Sequence, residues 1–141
     1  MSFSIYTAKA LLNSLFQKTS NFGALGSPPT FYVGFSSTQP NPDGTGVTEP
    51  AGGAYARVAT AASDWDTATS ADPSVVDNVN DFTFNVATAD WLSGNVLTHG
   101  VLYDAATSGN MLGFGVLSTA KAILDGDQAI IKAGDLQIKL Q

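Results

Sequence analysis

The stretch that decides the fold runs Val96-Leu97-Thr98-His99-Gly100-Val101-Leu102-Tyr103. It continues through the turn Thr107-Ser108-Gly109-Asn110 into Met111-Leu112-Gly113-Phe114-Gly115-Val116-Leu117. Two apolar runs flank a cluster of turn formers, which reads as two antiparallel strands joined in a hairpin. Outward from the hairpin the same period of two recurs. Phe82, Phe84 and Val86 alternate with Thr83 and Asn85, and Leu136, Ile138 and Leu140 alternate with Gln137, Lys139 and Gln141. Residues 129–132 form another short run, set between the turns Asp125-Gly126-Asp127 and Ala133-Gly134-Asp135. Phe82, Phe84 and Leu102 are expected in the core.

Upstream, Phe31, Val33 and Phe35 alternate with Tyr32 and Gly34, a half-buried strand. Residues 54–60 read as the next strand, with Tyr55 and Arg57 on one face and Ala56 and Val58 on the other. Residues 39–53 form a turn-rich loop carrying Pro42-Asp43-Gly44 and Gly52-Gly53. Residues 61–80 are polar, small and acidic and read as a second long connection. Loops of this length carry contacts or function, here to a neighbour or partner.

Before residue 30 the period is 3.6. Ile5, Ala8, Leu11, Leu12, Leu15 and Phe16 make one apolar helical stripe, with Ser2 or Ser4 as the cap. Gly23, Gly26, Pro28 and Pro29 end it. The expected organisation is a helix over residues 1–20, a linker over 21–29 and a β-domain over 30–141. The fold class is mainly β: an antiparallel, jelly-roll-like β-sandwich of about seven strands with one N-terminal helix. An isolated helix of this length is marginal, so its stripe must be buried. Ile5, Leu11, Leu12, Leu15 and Phe16 are therefore candidate interface residues, since a sandwich fills its core from its own two inner faces.

Composition narrows the function. Six basic against 12 acidic residues give a net charge of −6. Such a surface does not suit phosphate backbones or anionic membranes. There is no Cys, which removes disulfides, thiolate metal sites and cysteine nucleophiles. No apolar run reaches the roughly 20 residues of a spanning helix, and the N-terminal residues do not read as a signal peptide. Only 13 % of residues are charged, a surface suited to packing against partners rather than staying apart in solution.

Catalytic constellations are not evident. His99 is the only histidine, and no Gly-x-Ser-x-Gly accompanies it. It reads as a structural residue of a strand. Gly113-Phe114-Gly115 lacks the Lys and Ser or Thr of a phosphate loop. The one glutamate, Glu49, falls in a loop read as flexible. Asp64-Trp65-Asp66 and Asp90-Trp91 place acids beside aromatics, as sugar sites do, but also as turn aspartates do beside tryptophans covering a sheet edge. Asn41-Pro42-Asp43-Gly44 and Asp125-Gly126-Asp127 are oxygen-rich turns without EF-hand spacing, so calcium stays open. Arg57 is the only arginine, and it reads equally as a structural anchor to an aspartate or to backbone carbonyls and as an exposed strand residue. No cofactor, metal or catalytic residue is assigned.

In order along the chain, Phe31-Tyr32-Val33-Gly34-Phe35, Gly52-Gly53-Ala54-Tyr55-Ala56-Arg57-Val58, Leu97 to Ala105, Gly109-Asn110-Met111-Leu112 and the segment from Asp125 to Leu136 resemble a family of small bacteriophage virion proteins. Members are labelled tail fibre proteins, and similar small β-domains serve as capsid cement. The resemblance implies a non-enzymatic structural protein of the virion. The expected role is a capsid cement or decoration subunit on the major capsid protein. The alternative is a tail fibre or tail accessory protein contacting the host surface, and the third reading is a carbohydrate-binding module. Expected partners are the major capsid protein or other virion proteins and further copies of the chain, a trimer suiting three-fold positions.

Overall fold

The computed structural model describes residues 1–7, 11, 30–71 and 74–140. Nine strands occur in them: β1 (Ser2–Phe3), β2 (Phe31–Ser36), β3 (Val58–Thr60), β4 (Ser74–Asp77), β5 (Phe82–Val86), β6 (Leu97–Tyr103), β7 (Met111–Lys121), β8 (Gln128–Ile131) and β9 (Gln137–Leu140). Five make one sheet in the order β1-β7-β6-β2-β3, and β4–β9 and β5–β8 form two-stranded ribbons. Every ladder is antiparallel. The chain is thus mainly β, as its period of two requires. β6 and β7 form the hairpin, with Val101 opposite Phe114 and Tyr103 opposite Met111.

Alternation along the strands gives the large sheet two apolar faces. Val33 and Phe35 of β2, Leu102 of β6 and Leu112 of β7 join Phe82 and Phe84 of β5, Ala129 of β8, Trp91 and Ile123 in the main core. That core lies between the five-stranded sheet and the β5–β8 ribbon. Its centre is aromatic: the Phe35 and Phe84 rings lie 4.6 Å apart, and Trp91 meets Phe84 edge-on at 6.2 Å. On the other face Val101, Tyr103 and Met111 pack with Tyr32, Val47 and Phe114.

Four local readings are corrected. Ser2–Phe3 is a strand, not the start of a helix, because its backbone pairs with Gly113 and Phe114 on the edge of β7. The Ser4 hydroxyl then accepts the Thr7 N–H, which caps the helical residues 5–7. Leu12, Leu15 and Phe16, with residues 21–29, lie outside the described residues. The expected strand over 54–60 is reduced to β3, since Gly52, Gly53 and Ala54 all take positive φ. Residues 61–80 are not merely a connection: they hold a 3-10 turn (Ala62–Asp64) and β4. Trp91 does not cover a sheet edge; it is 1 % exposed in the core, its indole N–H donating to the Gly53 carbonyl.

Candidate functional site

Arg57 is the centre of the polar structure. Its Nε and Nη2 donate to Glu49 Oε1 and Oε2 at 2.8 and 2.7 Å. Its Nη1 donates to the carbonyls of Ala105 and Ser108, both at 2.8 Å. The guanidinium also lies over the Tyr103 ring, 3.4 Å from its centroid. A flat, five-donor cation fits this mix of carboxylate, carbonyls and ring; an ammonium does not. Burial works against the charge, but the Glu49 hydrogen bonds and attraction outweigh it and hold the Arg57 pKa above its ordinary value.

Tyr55 extends the network into the sheet. Its hydroxyl donates to Glu49 Oε1 at 2.7 Å and accepts the Phe35 N–H at 3.1 Å. β3 pairs with β2 only as far as Val33, so the tyrosine hydroxyl satisfies the next edge amide in place of a strand. Burial, then the neighbouring carboxylate, push the Tyr55 pKa up. Gly34 makes the arrangement fit, since a β-carbon there would stand 2.9 Å from Glu49 Oε1.

Two loops flank the anchor, and Arg57 fixes one of them. One is residues 104–110, pinned by Arg57 at Ala105 and Ser108. Asp104 closes it by accepting from the Asn110 backbone and side-chain nitrogens at 2.7 and 2.8 Å. The other is residues 41–45, where Asp43 Oδ1 accepts from the Thr45 amide and hydroxyl at 2.9 and 2.7 Å. Those bonds, the amide first, hold the Asp43 pKa below the ordinary carboxylate value. The Ile5 N–H donates to Pro42 O, which brings the N-terminal segment alongside. Between these parts lies a cleft of about 270 Å³, whose walls include Tyr6, Asp43, Tyr103, Ser108 and Asn110 together with Arg57.

The other residues singled out from sequence lie elsewhere. His99 sits within β6, its Nδ1 2.8 Å from the Thr98 hydroxyl, and takes no part in the Arg57 network. Ile5 is 60 % and Leu11 39 % exposed. Among the described residues no three His, Cys, Asp or Glu side chains converge as metal ligands do. Sequence reasoning missed Glu49, the Arg57 partner, by reading its loop as flexible and looking for an aspartate. The available signal was a single glutamate eight positions from a single arginine in a charge-poor chain.

A protein-family profile described as Podophage GP4 fiber I protein gp80 matches residues 2–139. The chain belongs to this family. It is therefore a phage structural protein of the fibre type. The match spans β1 to β9 and takes in the Arg57 network and both loops of the cleft. No curated protein matches the chain.

Proposed function

We propose that this chain is a fibre subunit on the phage tail that contacts the host surface, without catalytic activity of its own. The family match over residues 2–139 carries this reading, and it favours the tail over the capsid cement role that composition and resemblance first suggested. The anchored loops support it physically. The large sheet supplies a stiff base, Arg57 locks the 104–110 loop on it, and Asp43 closes the 41–45 loop beside it, as recognition surfaces require. The exposed Ile5 and Leu11 make the N-terminal segment the contact to further copies or to neighbouring virion proteins. Gold-labelled antibody on intact virions tests the location. Label confined to the tail in a few copies is expected; label spread over the head in hundreds of copies returns the protein to the cement role.

A further inference from the structure

We infer that the cleft beside Arg57 binds a neutral sugar ring, with Tyr6 as its stacking face and Asp43, Ser108 and Asn110 as its hydrogen-bonding groups. The inference deepens the fibre reading by naming the chemistry of the contacted surface.

The first observation is accessible polar capacity. Asp43 uses Oδ1 for Thr45, and Asn110 uses its side-chain nitrogen for Asp104. Tyr6, Asp43, Ser108 and Asn110 all line the cleft and are exposed, so the second Asp43 oxygen, the Asn110 side-chain oxygen and the hydroxyls of Ser108 and Tyr6 are accessible to a ligand. Acceptors and hydroxyls from three separate segments thus line one cleft. Sugar hydroxyls, each both donor and acceptor, match such a set.

The second observation is strain. Ser108 has φ of 54°, a conformation that a non-glycine residue rarely adopts and that clusters at binding sites. Its carbonyl is held by Arg57 and the loop is closed by Asp104, so the wall exists before any ligand arrives. Preformed walls lower the ordering cost of binding a small, weakly held ligand.

The same residues disfavour other ligands. An anion would meet Asp43 and a guanidinium already neutralised by Glu49 at 2.7 Å. A metal ion would find a single carboxylate in the cleft. An apolar ligand would leave the polar walls unpaired. One side of Tyr103 is covered by Arg57, which leaves the 36 % exposed Tyr6 as the aromatic surface for the C–H face of a ring.

Saturation-transfer NMR on the full chain tests this, with glucose, galactose, mannose and N-acetylglucosamine as separate probes at millimolar concentration and inorganic phosphate as competitor. At least one sugar is expected to receive saturation and to resist phosphate. Tyr6→Ala and Ser108→Gly should each weaken that sugar roughly threefold to tenfold, the effect of one lost contact. Ser108→Gly removes the hydroxyl and relieves the positive φ, so its melting temperature should hold or rise. A weakened signal there is loss of contact and not unfolding. Silence from all four sugars, displacement by phosphate, or unchanged binding in both variants overturns the site. Those results leave the tail location standing, whereas gold label on the head overturns the location and leaves the site.

Discussion

A β-carbon on Gly34 would lie 2.6 Å from the Tyr55 hydroxyl oxygen, closer than side chains approach one another. The missing side chain of one residue is the seat of the other. Gly34→Ala should destabilise the chain by about 1–3 kcal/mol, the usual cost of overpacking. Gly100→Ala is the control, because its nearest neighbour would be Leu117 Cδ2 at an ordinary 3.8 Å. Urea titration should separate the two. Equal midpoints would mean that the network moves aside at no cost.

Breaking the ion pair should cost more than deleting surface charges does. The Arg57 and Glu49 side chains are 7 % and 20 % exposed. Glu49→Gln leaves a guanidinium without its carboxylate and should cost about 3 kcal/mol. Lys132→Gln removes a pair whose side chains are 61 % and 41 % exposed, and it should change stability by less than about 1 kcal/mol. Denaturant midpoints at neutral pH decide the comparison.

Alkaline pH should unfold the protein through Tyr55. Its folded pKa is raised above the ordinary 10.0 by burial and by Glu49. A raised pKa means that the contribution is fully present below pH 10 and is lost as pH rises, because the unfolded chain releases the proton first. Stability should fall by about 1.4 kcal/mol per pH unit from this group above pH 10. Tyr55→Phe lowers stability at neutral pH yet should flatten the alkaline slope. A slope identical to the parent's would remove Tyr55 from the account.

The legible part of the molecule was its alternation. Phe31 to Phe35, Phe82 to Phe84 and Leu97 to Leu112 show their facing in the residues themselves, whereas Val86, in step with Phe82 and Phe84 along the sequence, is exposed because the β5–β8 ladder shifts register between Thr83 and Val86. β4 was not legible: its four residues, Ser74 to Asp77, are all half-buried, and they are ordered by Gln137–Leu140 far along the chain. Asn78 is similar, a 1 % exposed amide whose meaning lies in its bonds to Lys132 and Leu136. Arg57 could be read as an anchor, but its partners are set by tertiary folding. The two loops that make the cleft are separated by some sixty residues, and no local pattern joins them.

Phe84 tests the facing of β5. It is 1 % exposed between Phe35 and Trp91, and Phe84→Ala should cost about 3–5 kcal/mol. Val86 on the same strand is 49 % exposed, and Val86→Ala should cost well under half as much. Comparable melting temperatures for the two would place β5 in a different register.

The pairing of β4 with β9 also bears on synthesis. The ribosome delivers residues 74–77 well before 137–140, and β1 likewise waits for residues 113 and 114 on β7. During elongation these strands expose unpaired amides and carbonyls, the surface on which chains join one another wrongly. A sheet closed by distant segments folds slowly, because loop-closure entropy is lost before the contacts form. The nascent chain therefore passes through a vulnerable interval that ends only when β9 emerges, and the yield of soluble subunits should depend on how quickly that strand docks.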